Sequence, residues 1–155
     1  MNIIIAGSRT LPNGKEFTNY QFLKYECLKY LQQLHAIYNF TLSDVTILSG
    51  KCKKGADRLG EQFAQDMQIT VKPFHAPWND IRTQPCVIRY TQQGNPYNLL
   101  AGINRNHQMV DYCLSNPPSS LIAFWNGKSS GTKDVITYAK LNNLTTFVVG
   151  LYDKV

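Results

Sequence analysis

Five short runs rich in apolar and β-branched residues alternate along the chain with longer segments in which apolar residues recur every three or four positions. Such runs are typical of strands buried in a parallel sheet. They lie at residues 3–6, 45–48, 70–74, 121–124 and 146–149. The longer segments predict amphipathic helices, because one apolar stripe would face the core. They cover residues 15–38, 56–67, 101–114 and 133–141.

This alternation predicts an α/β fold with helices on both faces of a parallel sheet, because each right-handed crossover must cover apolar strands. The run at residues 3–6 is the expected central strand, and Pro73 indicates that the third strand lies near an edge. We predict one domain over residues 1–155, a three-layer sandwich with a five-stranded parallel sheet in the order 3-2-1-4-5. In such a sheet the turns after strands 1, 2 and 4 meet beyond the carboxyl ends, where the strand order reverses.

Residues 75–100 carry no periodic apolar pattern and contain three prolines and one glycine among polar and aromatic residues. A loop of this length in a compact domain is usually functional or mobile. We therefore predict an irregular excursion between the third strand and the following helix.

The turn after the fourth strand has the composition of a phosphate-binding loop. Gly127 and Gly131 allow a ligand to approach the backbone, and the hydroxyls of Ser129, Ser130 and Thr132 lie beside them. Backbone N–H groups at the start of the next helix have no partner within the helix and suit an anion. The alternative is an ordinary polar connector between a strand and a helix.

The turn after the first strand contains Gly7, Ser8 and Arg9. An arginine can bind a phosphate or a carboxylate through two parallel hydrogen bonds. At the end of a buried strand, Arg9 is therefore a candidate ligand contact.

The turn after the second strand begins at Ser49 and has Gly50 and Gly55 on either side of three lysines, among them Lys53. Asp57 follows in the first turn of the next helix, where the helix dipole favours a carboxylate. This carboxylate either caps the helix or accepts hydrogen bonds from ribose hydroxyls.

Composition fits a soluble globular protein, with 43% hydrophobic residues and no apolar run near the roughly 20 residues that span a bilayer. We expect a cytoplasmic protein. The four cysteines form no Cys-x-x-Cys pair and no histidine stands at ligand spacing, so free thiols and no metal site are predicted. The net charge of +6, from 16 basic and 10 acidic residues, favours an anionic partner such as a nucleotide or a nucleic acid.

In their order and spacing, the motifs on these turns resemble the SLOG superfamily, which joins the DNA-processing protein Smf/DprA to the Lonely Guy phosphoribohydrolases. The closest resemblance is to its small stand-alone YspA-like branch. The motifs that carry it are residues 7–9, Ser49 and Gly50 with residues 55–57, Trp78, Arg105 and Asn106 with Met109, and residues 125–132. The resemblance implies a Rossmann-like fold that binds a nucleotide or a nucleotide-derived ligand for sensing or sequestration, with no other cofactor, and it is compatible with a homodimer or a higher homo-oligomer.

One position departs from the hydrolases of that superfamily. Lonely Guy enzymes carry a glutamate three residues after the Gly-Thr pair, whereas this chain has Val135 there and Asp134 one residue earlier. A shift of one residue turns a helical side chain by about 100 degrees. Binding without turnover is therefore favoured, and Asp57 and Asp134 are the candidate catalytic carboxylates for the alternative, hydrolysis of an N-glycosidic bond. The net positive charge also suggests a third possible function, binding of single-stranded nucleic acid, as in the DNA-processing relatives.

Two tryptophans and two histidines have competing interpretations. Trp78 and Trp125 would stack on a base or pack locally, and His75 and His107 would act as an acid or base or form local hydrogen bonds. The residues predicted to contact the ligand are Gly7, Ser8, Arg9, Ser49, Gly50, Lys53, Gly55, Asp57, Trp78, Arg105, Asn106, Trp125, Gly127, Ser129, Ser130, Gly131 and Thr132.

Overall fold

The chain alternates strands and helices in a computed structural model that describes residues 1–155. Its strands are β1 (Asn2–Gly7), β2 (Thr46–Ser49), β3 (Thr70–Pro73), β4 (Ile88–Tyr90), β5 (Pro96–Asn98), β6 (Ser119–Trp125) and β7 (Thr145–Gly150). Its α-helices are α1 (Tyr20–Tyr38), α2 (Ala56–Asp66), α3 (Ala101–Ser115) and α4 (Ser130–Leu141), and a single 3-10 turn, Leu42–Asp44, precedes β2.

Five strands form one parallel sheet in the order β3-β2-β1-β6-β7. With β4 and β5 set apart in a separate hairpin, this is the predicted order 3-2-1-4-5, and the α/β Rossmann-like sandwich is confirmed. Strand β1 is central, with Ile4 opposite both Leu48 and Leu121. Strand β3, which contains Pro73, lies at an edge as predicted.

Successive residues of β1 point to opposite faces of the sheet, so the core has two halves. Ile3 and Ile5 pack in a cluster with residues of α1 and α2, such as Phe63. Ile4 and Ala6 pack in a second cluster with residues of α3 and α4. Helices therefore cover both faces of the sheet. None of the helices combines the length and the apolar character that crossing a membrane requires.

The first helix begins at Tyr20, so the prediction that it starts near residue 15 was wrong. The Asn19 side chain caps the helix by accepting a hydrogen bond from the Phe22 backbone N–H at 3.0 Å. The preceding residues instead form a loop, in which the Phe17 N–H donates to the carbonyl of Arg9 at 2.9 Å. This loop lies against the end of β1 and brings Leu11 to the carboxyl edge of the sheet.

The excursion over residues 75–100 contains the antiparallel hairpin of β4 and β5 within otherwise irregular chain. Asn98, only 1% exposed, anchors it, because its Oδ1 accepts hydrogen bonds from the backbone N–H groups of Val87 at 3.1 Å and Leu100 at 2.9 Å. The hairpin therefore leads directly into the start of α3. Its strands have three residues each, too short for the alternation of side chains to be recognised in the sequence.

Candidate functional site

A cleft of about 570 Å³ opens beyond the carboxyl ends of β1 and β6, where the strand order reverses. Its walls are the loop after β1, the turn between β6 and α4, and the first residues of α3 together with Asp57 on α2. The residues that line it are Ala6, Gly7, Arg9, Thr10, Leu11, Pro12, Gly14, Cys52, Asp57, Arg105, Asn106, Asn126, Lys128, Ser129, Ser130, Gly131, Thr132 and Val135.

Asn126 organises the turn between β6 and α4. Its Oδ1 accepts hydrogen bonds from the backbone N–H groups of Lys128 at 2.9 Å and Ser129 at 2.8 Å. Its Nδ2 donates to the carbonyl oxygen of Thr10 at 2.9 Å, and its own N–H donates to Ser8 Oγ at 3.1 Å. One side chain, 9% exposed, therefore fixes the turn and joins it to the loop after β1.

The N-terminus of α4 points into the cleft. Ser129 caps the helix through Oγ, which accepts from the Thr132 N–H at 3.4 Å and from Thr132 Oγ1 at 3.1 Å. The backbone N–H groups of Ser130 and Gly131 form no hydrogen bond within the chain. Both residues line the cleft. Unpaired N–H groups at the positive end of a helix dipole favour an anion.

Three cationic side chains line the cleft: Arg9, Arg105 and Lys128. None of them forms a salt bridge with a carboxylate of the chain. Lys128 Nζ donates to the carbonyl of Pro12 at 2.9 Å and so closes the turn onto the loop after β1. The cleft therefore has a surplus of positive charge.

Arg105, in the second turn of α3, is held by two hydrogen bonds of its guanidinium. Its Nε donates to Asn106 Oδ1 at 2.8 Å, and its Nη1 donates to the carbonyl of Gly50. Burial lowers the pKa of this guanidinium, while the nearby carboxylate of Asp57 raises it. An arginine stays protonated despite such a change, so it is a permanent cation fixed in place.

Asp57 is the only carboxylate in the cleft lining, and its residue is 7% exposed. Its Oδ2 accepts a hydrogen bond from the Cys52 N–H at 3.1 Å. Burial raises the pKa of this carboxyl to about 6, against the opposing effects of the Arg105 charge and the Cys52 N–H. Asp57 therefore changes its protonation state close to neutral pH.

Gly55 brings the start of α2 into contact with the turn after β1. It has a φ of +68°, and an added Cβ would lie 2.4 Å from Arg9 Cα and from the carbonyl oxygen of Ser8. The Ala56 N–H donates to that same carbonyl at 3.2 Å. Only glycine permits this close approach, which places Asp57 beside Arg9.

Nine of the predicted ligand contacts line the cleft: Gly7, Arg9, Asp57, Arg105, Asn106, Ser129, Ser130, Gly131 and Thr132. Other predicted contacts have structural partners instead. Ser8 Oγ accepts from Asn126, and Ser49 Oγ donates to Glu61 Oε1 at 2.8 Å. Gly50, Gly55 and Gly127 shape the turns, and Lys53 is exposed outside the lining.

Neither tryptophan lines the cleft. Trp125 Nε1 donates to the carbonyl of Ser129 at 3.0 Å, and its ring borders a separate groove on the outer side of α4. Trp78 is 43% exposed and lies near Arg105. A Cβ added at Gly102 would be 3.8 Å from Trp78 Cη2 and 3.7 Å from Arg105 Nη2. Trp78 therefore stands outside the cleft on the Arg105 side.

Asp134 and His107 form a salt bridge between α4 and α3, with 2.7 Å between Oδ2 and Nε2. The His107 ring stacks on Tyr138 at a centroid distance of 3.8 Å, and Tyr138 donates to Asp111 Oδ1 at 2.6 Å. Neither member of the salt bridge lines the cleft. His75 is exposed and also lies outside the lining.

Sequence reasoning missed Cys52, Asn126, Lys128 and the loop that contains Leu11 and Pro12. Asn126 and Lys128 stand inside the turn that was recognised, but nothing local distinguishes them from solvent-facing polar residues. The Pro-Asn-Gly sequence at residues 12–14 is a turn signal that argues against a helix beginning nearby, and it could have revealed the loop.

The fold and the site define a Rossmann-like α/β protein with a cationic cleft at the point where the strand order reverses. Comparisons of the chain with protein-family models, with curated proteins and with solved structures gave no match. The function of the cleft has to be inferred from its own chemistry.

Proposed function

We propose that the cleft binds a phosphorylated nucleotide or a nucleotide-derived ligand. The observation that carries this proposal is that three cations, none of which forms a salt bridge, meet the free N–H groups at the start of α4. We expect the ligand to be sensed or sequestered, because the groups that line the cleft are sufficient for binding.

The phosphate lies at the N-terminus of α4. There the N–H groups of Ser130 and Gly131 donate to its oxygens, and Arg9 and Lys128 supply positive charge. Arg9 has no hydrogen-bond partner of its own for its guanidinium, so binding costs no existing interaction. A dianionic phosphate would offset most of the surplus charge.

The sugar lies toward Asp57. A buried carboxylate accepts hydrogen bonds from hydroxyl groups, and one of its oxygens, Oδ1, has no hydrogen bond within the chain. Because the pKa of Asp57 is about 6, the carboxylate form is present at neutral pH. Arg105, on the opposite wall, supplies donors to the remaining ligand oxygens, and Asn106 holds its guanidinium in place.

Calorimetric titration with AMP, ADP-ribose and cyclic nucleotides tests the proposal. We expect binding of at least one of them, and Arg9→Ala should weaken it by tenfold or more, because a charged hydrogen bond contributes about 1.5–3 kcal/mol. The matched control is Arg89→Ala, which removes an exposed arginine of the hairpin. The proposal fails if none of the ligands binds, or if both variants lose affinity equally.

Hydrolysis of an N-glycosidic bond is a second candidate function, and the chemistry of Asp57 favours it. A buried carboxyl with a pKa near 6, in a cleft that would hold ribose, suits general acid–base catalysis near neutral pH. Asp134 is less suited, because it is paired with His107 outside the cleft lining.

Release of free base from AMP, followed by chromatography, tests this second function. If it occurs, Asp57→Asn should abolish it, while Asp134→Asn should leave it largely unchanged. Base release that survives in Asp57→Asn but is lost in Asp134→Asn would contradict the assignment of Asp57.

A further inference from the structure

No aromatic side chain lines the cleft. Its apolar lining is limited to small or aliphatic residues, namely Ala6, Leu11, Pro12 and Val135. Sites that enclose a nucleobase usually hold it against apolar or aromatic surface, which also contributes affinity. This cleft is instead lined mainly by polar groups.

We propose that the cleft recognises the ribose phosphate part of its ligand and leaves the base outside, so that affinity is nearly independent of which base is attached. The ligand class is thus a pentose phosphate, free or as part of a nucleotide. This inference rests on the proposed function of the same cleft.

The two polar ends of the cleft are close enough to be contacted by one sugar phosphate. Asn106 bridges them with a single amide group: its Oδ1 accepts from Arg105 Nε at 2.8 Å, and its Nδ2 donates to the carbonyl of Gly131 at 3.5 Å. Arg105 is a near neighbour of Asp57, and Gly131 belongs to the N-terminus of α4. To contact both polar ends of the cleft, a ligand therefore needs only a phosphate joined to a hydroxyl-bearing ring.

The amide and cationic side chains of the cleft are already engaged and do not offer a pattern that would distinguish one base from another. Telling bases apart requires donors and acceptors placed against their edges, and arginines and side-chain amides are common readers of such edges. The two amides in the lining are already engaged, Asn106 with Arg105 and Gly131, and Asn126 with its own turn and Thr10. Arg105 is tied to Asn106 and to the Gly50 carbonyl, and Arg9 and Lys128 are assigned to the phosphate, so none of the three cations is left for a base edge.

Trp78 is an exposed aromatic ring outside the lining, on the Arg105 side of the cleft. A base that leaves the cleft there could stack on the exposed face of Trp78. Stacking of this kind is tolerant of sequence, because every base has a π-face. Such contact would add affinity without selecting a base.

Competition titrations with AMP, GMP, CMP, UMP and ribose 5-phosphate test the inference. We expect the four nucleotides to agree within about threefold and ribose 5-phosphate to compete within about tenfold of AMP. A preference of more than tenfold for one base, or binding of AMP with no detectable binding of ribose 5-phosphate, would overturn the inference and leave the proposed function standing. If none of the five compounds binds, both are overturned.

The sugar end is tested with 2′-deoxy-AMP. Wild-type protein should bind it at least tenfold more weakly than AMP, because Asp57 loses a hydroxyl partner. Asp57→Asn should reduce this difference to less than threefold, and its binding of 2′-deoxy-AMP shows that the variant is folded. Equal affinity of the wild type for AMP and 2′-deoxy-AMP would overturn the placement of the ribose, whatever the stability of the variant.

Discussion

Asp57 and Arg105 approach each other across the bare Cα of Gly50. The position that a Cβ would occupy at Gly50 lies 2.8 Å from Asp57 Oδ2 and 2.9 Å from Arg105 Cζ. Contacts this short are not formed by real Cβ atoms, so a side chain at position 50 would displace one of these two groups. The absence of a side chain at Gly50 therefore leaves room for the carboxylate and the guanidinium on either side of it.

Gly50→Ala should separate these two groups and weaken ligand binding by about tenfold or more. The added methyl would displace either a buried carboxylate or a guanidinium that is tied to the Gly50 carbonyl. Calorimetry with AMP measures the loss. Gly150→Ala is the control, because no atom lies within 4 Å of its added Cβ. Unchanged affinity in Gly50→Ala would show that the Asp57–Arg105 arrangement does not matter for binding.

Asp57 should make the stability of the fold depend on pH between about 4 and 6. The folded pKa is raised to about 6 from an ordinary 3.8, so in this range the folded state binds more protons than the unfolded state. The contribution of the protonated carboxyl is present below pH 4 and is lost as the pH rises through 6.

Relative to wild type, Asp57→Asn should therefore gain stability as the pH is raised from 4 to 7, by roughly 2–3 kcal/mol at about 1.4 kcal/mol for each pKa unit. Urea unfolding at both pH values measures the difference. Asp44, Asp66 and Asp80 have lowered pKa values and also make stability depend on pH. Their contributions are the same in both proteins and cancel in the comparison. A difference in stability that stays constant with pH would rule out a raised pKa at Asp57.

Asn126→Asp should destabilise the turn before α4 and weaken ligand binding together. The new carboxylate keeps the hydrogen bonds from Lys128 and Ser129 but cannot donate to the carbonyl of Thr10, and an unsatisfied buried group costs about 1–3 kcal/mol. It also adds negative charge beside the phosphate position. Thermal unfolding and calorimetry report the two effects.

Asn79→Asp is the control for Asn126→Asp, because it introduces the same charge at an exposed position of the excursion. If both variants lose the same affinity, then net charge rather than the local turn is responsible.

Gly60→Ala should destabilise the protein although alanine favours helices. An added Cβ would lie 2.7 Å from Cγ2 of Ile5, which is 2% exposed in the centre of the sheet. Overpacking of this kind costs about 1–3 kcal/mol, which exceeds the gain of about 1 kcal/mol in helix propensity. Urea denaturation gives the free energy of unfolding.

Ile5→Ala removes the opposing methyl group, so the double variant should lose less stability than the sum of the two single variants. Strictly additive losses would show that Gly60 and Ile5 do not compete for the same space.

Much of the fold could be predicted from the sequence because its signals are local. The buried run in β1, the proline in β3 and the stripes of the helices each occupy a few consecutive residues, and the handedness of crossovers then limits the strand order. Residues 15–19 were assigned wrongly because an apolar stripe does not mark where a helix begins, and the Asn19 cap that marks it was not recognised. The hairpin of β4 and β5 was not predicted because each of its strands has only three residues.

The sequence by itself determined that three polar turns would meet at the carboxyl edge of the sheet, since parallel strands all end on the same side. Only the tertiary structure decided which side chains of those turns face the cleft. The side chains of Ser8 and Trp125 form hydrogen bonds with backbone groups of the turn before α4. The side chains of Asn126 and Lys128 donate to carbonyls of the loop after β1. The pKa of Asp57 and the gap at Gly50 were equally beyond sequence reasoning. Both depend on burial and on partners up to 55 positions away along the chain, which no local pattern records.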